Sequence, residues 1–286
     1  MSFNKVGVVG AGMMGSEIAL VFALAGCDVL LGDRDPKLAE AALGRLEKTL
    51  DVGVARGFYR PEDKATALGH LTAARGLGEY ADRQFVVEAV FEDQAVKGAV
   101  FQELDKVCAQ DCVLSSNTSS ISISVLSSYV AAARRPRFLG THFFSPVSRM
   151  ALVEVIPGFD TSEPTIERVM AACRDAGKQP IRVKDVVGFA VNRLLHAFWV
   201  EAVRLVEEGV ATPEDIDTAC KLGLGHPIGP FRLMDGVTNN LTLDVQEILF
   251  QYYGERFRPR PLLKQKVKAG HLGRKSGRGW FGYDKG

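Results

Sequence analysis

The sequence predicts an α/β fold in which a doubly wound sheet with a helical insertion is followed by an all-α C-terminal domain. Over roughly the first 185 residues, short apolar runs alternate with helical stretches, a pattern typical of a parallel sheet. A glycine-rich segment directly follows the first apolar run. From about residue 186 no convincing strand remains, and apolar residues recur at helical spacing. We therefore expect two domains, residues 1–185 and 186–286.

Seven apolar runs predict the strands of the sheet, and the stretches between them supply its helices. The predicted strands are Lys5–Val9, Asp28–Gly32, Phe85–Val90, Cys112–Ser116, Arg137–Phe143, Leu152–Ile156 and Gln179–Val183. The charged segment from Pro36 to Leu68, broken near Gly53 and Gly57, is longer than one crossover helix requires. We expect it to form a helical pair that projects from the sheet.

The C-terminal domain is predicted from helical spacing and from capping residues. One apolar stripe at this spacing consists of Leu195, Phe198, Trp199, Ala202, Leu205 and Val206. A second helix is expected to begin after Thr212, a good N-cap that is followed by Pro213 at the first helical position. Asp215, three residues after Thr212, completes a variant of the capping box.

Composition excludes several classes of function. The chain has 286 residues, of which 47% are hydrophobic, so it can bury a substantial core. Its 35 Lys and Arg residues balance 34 Asp and Glu residues, so no overall field attracts nucleic acid or an anionic membrane. The chain lacks an uncharged apolar run of about 18 residues, and its first residues do not resemble a signal peptide. These features predict a cytoplasmic protein without nucleic-acid or membrane partners.

The cysteines indicate neither a disulfide framework nor a metal site. There are five, an odd number, and they are scattered and far from any histidine at ligand spacing: Cys27, Cys108, Cys112, Cys173 and Cys220. We expect buried thiols and no bound metal.

The segment VGVVGAGMMGSEIA contains a G-x-G-x-x-G pattern that either forms a tight turn or holds a phosphate. It follows a predicted strand and enters a helix with an apolar face, the context of a Rossmann-like dinucleotide site. In such a site Gly10 permits the turn, Gly12 lets a pyrophosphate approach the backbone, and Gly15 lets the helix pack on the strand. The apolar face comprises Ile18, Val21, Phe22 and Ala25. We predict that the turn from Gly10 through Ala11, Gly12, Met13 and Met14 to Gly15 binds the cofactor.

Asp33 favours NAD over NADP. It follows the second predicted strand, 18 residues after Gly15, where a carboxylate can accept hydrogen bonds from the adenosine ribose. A 2′-phosphate would be repelled there. Arg34, the next residue, leaves NADP as the alternative.

Two further segments carry polar residues at predicted strand ends or within apolar strands. In VVEAVFEDQAVKGAVF, Glu88 lies at the carboxyl edge of the sheet, where open α/β sheets bind ligands. Glu92 and Lys97 follow it, and a solvated helix face explains these two residues equally well. In THFFSPVSRMALVEVI, a lone His142 is more often a core residue than a catalyst, but Glu154 in an apolar strand needs a partner if it is buried.

We predict that His142 is this partner. A carboxylate orients the imidazole and stabilises its protonated form, which suits a general base that takes a hydroxyl proton during hydride transfer. This chemistry is that of an alcohol dehydrogenase that uses no metal.

Several ordered motifs resemble those of the L-3-hydroxyacyl-CoA dehydrogenases of the bacterial 3-hydroxybutyryl-CoA type. They are GAGMMGSEIA, VVEAVFEDQAVK, SSNTSSISIS, HFFSPVSRMALVEVI, DVVGFAVNRLL, EEGVATPEDIDTACKLGLGHPIGPF and LGRKSGRGWFGY, and they span essentially the whole chain. The resemblance implies NAD-dependent oxidation of a (3S)-3-hydroxyacyl-CoA to a 3-oxoacyl-CoA, as in fatty-acid metabolism and β-oxidation. It also implies that the helical domain completes the substrate cleft and forms a homodimer.

The resemblance assigns roles to individual residues. It implies that His142 is the catalytic base, that Glu154 is its partner, and that Ser119 binds the substrate hydroxyl and contacts the cofactor. Asn192 would help to hold the substrate oxygen. The other assignments follow the same motifs: Asp33, Glu92, Lys97 and Lys275 would bind the cofactor, and Thr49 and Arg56 would contact coenzyme A.

Two departures from the family pattern bear on the substrate. Ser145 stands where the family usually has an asparagine that contacts cofactor and substrate, and Ser148 stands where proline is usual. Ser145 keeps a hydroxyl donor and acceptor but lacks the reach of an amide. Two alternatives therefore stay open: a dehydrogenase of free hydroxy acids, like the lambda-crystallin and gulonate dehydrogenase relatives, and a catalytically silent NAD-binding protein.

Overall fold

The structure, a computed structural model that describes residues 1–283, contains an eight-stranded sheet in its N-terminal part. In chain order the strands are β1 (Lys5–Val9), β2 (Asp28–Gly32), β3 (Leu71–Ala73), β4 (Phe85–Glu88), β5 (Val113–Ser116), β6 (Phe138–Phe143), β7 (Leu152–Pro157) and β8 (Gln179–Arg182). Their spatial order is β3-β2-β1-β4-β5-β6-β7-β8. The order reverses at β1, so the predicted doubly wound sheet is confirmed and its ligand crevice is expected at the carboxyl ends of β1 and β4.

Helices flank the sheet and make up most of the region after it. The first six are α1 (Met13–Leu24), α2 (Pro36–Ala55), α3 (Pro61–Gly69), α4 (Gln94–Val107), α5 (Ile123–Ser127) and α6 (Glu163–Asp175). The others are α7 (Val191–Glu207), α8 (Pro213–Gly223), α9 (Pro230–Val237), α10 (Asn239–Tyr253) and α11 (Pro261–Lys268). The chain divides into two compact units, Met1–Val186 and a second that begins at Val187.

The sheet departs from the predicted parallel arrangement at one strand. β7 runs antiparallel to β6, whereas the other neighbouring pairs are parallel. The connection from Phe143 to Leu152 is too short for a crossover, which needs a dozen or more residues. The reversal places residues of β6 directly opposite residues of β7.

The helical insertion forms the predicted pair of helices, α2 and α3, but it packs on the sheet instead of projecting from it. Leu46, Leu50 and Ala67 are buried in the same core cluster as the strands. Gly53 does not break the helix but lies inside α2 against the ring of Tyr59. The break comes later, between the end of α2 and the start of α3.

Aromatic rings fill the core of the first unit. The ring of Phe22 on α1 packs edge-on against Phe85 of β4 and Phe143 of β6, at centroid distances of 5.9 and 6.3 Å.

All five cysteines are buried and free, as predicted.

The second unit is helical, and its core forms where the sequence predicts it. The stripe on α7 packs in one cluster with residues of α8, α9 and α11. The side chain of Thr212 accepts a hydrogen bond from the backbone N–H of Asp215 at 3.1 Å, which confirms the predicted start of α8.

Among residues 1–283, no helix has the length and apolar character needed to cross a membrane, and no three His, Cys, Asp or Glu side chains are grouped to hold a metal ion.

Candidate active site

The glycine-rich turn between β1 and α1 is shaped by steric contacts. Gly10 has a φ of 110°, and a Cβ there would lie 2.5 Å from the carbonyl oxygen of Ala89. A Cβ on Gly15 would lie 1.8 Å from the carbonyl oxygen of Gly10. Only glycine satisfies both positions, so the turn is held close to the neighbouring strand and helix.

Gly12 serves a different purpose, because a Cβ there would meet no atom within 4 Å. Gly12 is the N-cap of α1 and offers no side chain to the first N–H groups of the helix. An uncapped helix N-terminus with open space before it suits an anionic group such as a pyrophosphate. These residues fit the phosphates of a dinucleotide.

Asp33 is fixed beside this turn. Its Oδ2 accepts a hydrogen bond from the backbone N–H of Ala11 at 2.7 Å, and its Oδ1 accepts one from Arg34 N–H at 2.8 Å. Arg45 of α2 donates to the carbonyl oxygen of Ala11 at 2.9 Å. The carboxylate of Asp33 therefore lies next to the glycine-rich turn, and both belong to the first compact unit. This position suits the binding of a ribose.

His142 and Glu154 are paired across the antiparallel strands β6 and β7, where they stand directly opposite each other. Nδ1 of His142 lies 2.8 Å from Oε2 of Glu154, and both residues are buried. The other ring nitrogen, Nε2, lies 3.0 Å from Oγ of Ser119. Since an ionised carboxylate only accepts hydrogen bonds, the Nδ1 proton faces Glu154 and Nε2 is left as the basic nitrogen.

Glu92 anchors the loop that carries Ser119. Its Oε1 accepts hydrogen bonds from Oγ1 of Thr118 at 2.5 Å, from the N–H of Ser119 at 2.8 Å, and from the N–H and Oγ of Ser120, both at 2.9 Å. Burial opposes ionisation of Glu92, but Lys97 and these donors more than offset it, so its pKa lies below the ordinary value. The anchored loop presents Ser119 to His142.

Lys97 is buried, so the interpretation of a solvated helix face was wrong for this residue. Its Nζ lies 2.7 Å from Oε1 of Glu88 and 3.3 Å from Oε2 of Glu92, and it donates to the carbonyl oxygen of Val90 at 3.3 Å. The side chain of Glu92, in contrast, is 39% exposed. Sequence reasoning placed Glu88 at the edge of the sheet but did not assign it a partner.

Asn117, which sequence reasoning missed, ties two strand ends together. Its Oδ1 accepts a hydrogen bond from the backbone N–H of Phe143 at 2.9 Å. Its position two residues before Ser119, directly after β5, is the signal that could have indicated it. The bond fixes the end of β6 next to the loop of Ser119.

Ser145 and Ser148 lie on the connection between β6 and β7. Oγ of Ser145 lies 3.7 Å from the sulfur of Met13, at the start of α1. The backbone N–H of Ser148 donates to Glu17 of α1 at 3.3 Å. Ser145 is thus close to the glycine-rich turn.

A cavity of about 630 Å³ lies between α2, the segment after it and this connection. It is lined by Lys48, Thr49, Val52, Gly53, Arg56, Phe58, Tyr59, Ser148 and Arg149. Three of these residues are cationic and none is acidic, and the guanidinium of Arg149 lies over the ring of Phe58 at 4.9 Å. The cavity is suited to an anionic ligand, and both residues assigned to coenzyme A, Thr49 and Arg56, line it.

Comparison with known proteins shows the family. Residues 5–186 match the model described as 3-hydroxyacyl-CoA dehydrogenase, NAD binding domain, and residues 188–283 match the one described as 3-hydroxyacyl-CoA dehydrogenase, C-terminal domain. The chain belongs to the 3-hydroxyacyl-CoA dehydrogenase family. The resemblance stated from the sequence motifs is therefore confirmed.

Relatives of this family align over almost the whole chain. A 3-hydroxybutyryl-CoA dehydrogenase from Mycobacterium tuberculosis is 43% identical, with 99% of each chain covered. A probable 3-hydroxybutyryl-CoA dehydrogenase from Bacillus subtilis is 41% identical and covers 100% of this chain and 99% of its own. The crystal structure of (S)-3-hydroxybutyryl-CoA dehydrogenase from Ralstonia eutropha superposes with a TM-score of 0.94 at 38% identity, covering 99% of this chain and 100% of that one.

Membership of the family identifies the chain as an enzyme and NAD as its cofactor, and the residues around Gly12 and Asp33 fit this group. Two assigned residues, Asn192 and Lys275, lie in the second compact unit. Asn192 is half-buried in the first turn of α7, and Lys275 is exposed in a short 3₁₀ turn. Their roles toward substrate and cofactor stay predictions.

Proposed function

We propose that the protein oxidises (3S)-3-hydroxyacyl-CoA esters to 3-oxoacyl-CoA esters, with His142 as the general base. The observation that carries this proposal is the line of Glu154, His142 and Ser119, in which a buried carboxylate faces one ring nitrogen and a hydroxyl faces the other. This arrangement orients a basic nitrogen toward a hydroxyl-binding position at a strand end.

NAD supplies the acceptor for the hydride that leaves C3 of the substrate. Ser119 holds the substrate oxygen, and Nε2 of His142 takes its proton as the carbonyl forms. Asn192 is assigned to the substrate by resemblance to the family. Positive charge then develops on the imidazole, and Glu154, buried in a low-dielectric environment, stabilises this charge. Proton removal and hydride departure thus occur on the same carbinol.

The remaining assignments are part of the same proposal. In the first unit we assign the cofactor to the turn from Gly10 to Gly15 and to Asp33, Glu92, Lys97, Ser119 and Ser145. Lys275 is assigned to the cofactor by resemblance to the family. Thr49 and Arg56, in the cationic cavity, bind the coenzyme A portion. Lys97 is buried, so it serves the cofactor site by holding Glu92 and Val90 in place.

We also propose that the protein is a cytoplasmic homodimer whose subunits join through the helical unit, residues 186–286. This unit exposes Leu194, Leu222 and Leu224 to extents of 74%, 82% and 63%. Where such side chains form one contiguous patch, the surface is typical of an association site. Light scattering coupled to gel filtration measures the mass, and a monomer at micromolar concentration would contradict the dimer.

Steady-state kinetics with paired substrates tests the proposed activity. We expect turnover of (S)-3-hydroxybutyryl-CoA, little turnover of the R enantiomer or of free 3-hydroxybutyrate, and a preference for NAD over NADP of at least about tenfold. Turnover of the free acid as fast as the ester would favour the hydroxy-acid alternative. A folded protein that binds NADH but turns over neither substrate would favour the alternative of a catalytically silent NAD-binding protein.

A further inference from the structure

We propose that Glu88 is a positioning residue for this reaction: through Lys97 and Glu92 it fixes the backbone of residues 118–120, and hence the hydroxyl of Ser119 beside His142. The inference rests on the proposed function, because that function assigns Ser119 to the substrate oxygen. Glu88 touches neither Ser119 nor His142 in this chain of contacts, so it acts only through the residues between them.

Glu88 is fully buried, and both of its carboxylate oxygens are engaged. Oε1 accepts hydrogen bonds from Nζ of Lys97 and from the backbone N–H of Val90, both at 2.7 Å. Oε2 accepts one from Oγ of Ser116 at 2.6 Å. Burial raises the pKa of Glu88, although Lys97 and the other donors oppose this change. A carboxylate in such surroundings is costly unless its partners are held in place.

Lys97 lies between two carboxylates and is held more closely by one of them. Its Nζ is 2.7 Å from Glu88 but 3.3 Å from Glu92. The closer contact with Glu88 fixes the position of the Lys97 ammonium group. From this position Lys97 faces Oε2 of Glu92 and stabilises the charge of that carboxylate. The other oxygen, Oε1, is left to the loop of Ser119.

Oε1 of Glu92 is the point at which the loop is fixed. It accepts the backbone N–H groups of Ser119 and Ser120 and the hydroxyls of Thr118 and Ser120. Four donors on one charged oxygen leave the loop little freedom, and the 3.0 Å contact of Ser119 with His142 depends on it. Without Glu88, Lys97 would lose its closer partner and would no longer hold Oε2 of Glu92 in place.

A merely structural role for Glu88 would be to neutralise a buried lysine. The neutral double variant Glu88→Gln/Lys97→Met separates the two roles. It removes both buried charges, so it should regain the thermal stability that Glu88→Gln alone loses. It also deprives Glu92 of its cation, so under the positioning role the loop should remain loose and kcat should remain low.

The first measurement is hydrogen exchange of the peptide that covers residues 117–122, which does not depend on activity. We expect faster exchange in Glu88→Gln and in the neutral double variant than in the wild type. The matched control is Asp105→Asn, which removes the carboxylate 2.9 Å from another buried cation, Arg134, away from this loop. It should leave exchange of residues 117–122 and kcat unchanged. Recovery of both protection and kcat in the neutral double variant would overturn the proposal.

The second measurement is kcat in a cycle with Ser119→Ala. Glu88→Gln should lower kcat by about 10- to 100-fold in the wild-type background, since small misplacements of a catalytic group have effects of this size. It should add little in the Ser119→Ala background. Additive losses would overturn the positioning role. If Ser119→Ala itself keeps full activity, the role assigned to Ser119 under the proposed function fails instead, while the exchange result still decides whether Glu88 fixes the loop.

Discussion

At the scale of single residues, the proposed mechanism depends most on the charge of Glu154. This carboxylate is fully buried and stands 2.8 Å from Nδ1 of His142. Because the surroundings are poorly polarisable, its attraction for a positive imidazole is stronger than it would be in water. The attraction therefore grows as His142 takes the substrate proton, and it favours the transition state over the ground state.

A double-mutant cycle tests this dependence. His142→Gln should lower kcat/KM by roughly 10²- to 10⁴-fold, the range typical of a lost general base. Glu154→Gln keeps the shape and loses the charge, so it should cost less. The double variant should cost no more than His142→Gln alone, because a partner cannot assist an absent base. Each variant is first checked for NADH binding, and independent, additive losses would contradict the dyad.

The pairing of these two residues could be predicted from the sequence, whereas the burial of Lys97 could not. A single carboxylate among the apolar residues of LVEVI needs a partner, and this requirement led to His142. Glu92 and Lys97, in contrast, follow a strand and enter a helix, where charged residues usually face water. The contacts that bury Lys97 come from Glu88 and Val90, and sequence spacing alone does not reveal them.

At the scale of elements, the strands were predicted to within one or two residues except where they are very short. Apolar runs marked seven of the eight strands correctly. β3 has three residues, only one of them buried, and so leaves no recognisable pattern. The reversal at β7 depends on the length of the connection before it, which strand patterns do not encode. That reversal nevertheless creates the site, because it puts Glu154 opposite His142.

The second prediction concerns Arg56, which belongs to the helical insertion. Arg56 lies in the cationic cavity and is exposed, so it can reach a phosphate of coenzyme A without holding the fold together. Arg56→Ala should raise KM for (S)-3-hydroxybutyryl-CoA by about tenfold, on the scale of one charged contact, and leave kcat and NAD affinity nearly unchanged. Steady-state kinetics at varied salt measures the change.

Arg60 offers a matched control in the same insertion. It is 77% exposed, pairs with Asp63 at 2.8 Å and does not line the cavity. Arg60→Ala should leave KM unaltered. A fall in kcat with unchanged KM in Arg56→Ala would place Arg56 outside the substrate site.

At the scale of the whole molecule, alternating strands and helices give way to helices near residue 186. This change reflects which elements cover the apolar surface in each unit. In the first unit strands and helices cover one another around Phe22 and Phe85. In the second, helices pack on helices around Trp199 and Phe231. Each unit thus has its own core, which is why periodicity in the sequence reveals both of them. Periodicity does not reveal polar groups enclosed in such cores.

His196 on α7 is such a group, and it should make the protein sensitive to acid. The residue is 4% exposed, and burial lowers its pKa to about 4 from an ordinary 6.5. Among residues 1–283, its Nδ1 has no hydrogen-bond partner. The unfolded chain therefore binds the proton more readily than the folded one between these two values. The contribution of neutral His196 to stability is fully present above pH 6.5 and is lost as pH falls toward 4.

Urea unfolding at several pH values between 7.5 and 4.5 tests this expectation. The wild type should lose up to roughly 3 kcal/mol of its free energy of unfolding through this group, the equivalent of the pKa difference. His196→Phe fills a similar space without a titratable nitrogen, so its free energy of unfolding should fall less over the same range. His70→Gln, at a half-exposed histidine, is the control for losing a histidine as such and should behave like the wild type. An equal acid dependence in His196→Phe and the wild type would show that other groups govern the acid response. The expected difference arises because burial removes the solvent that would stabilise a proton on His196.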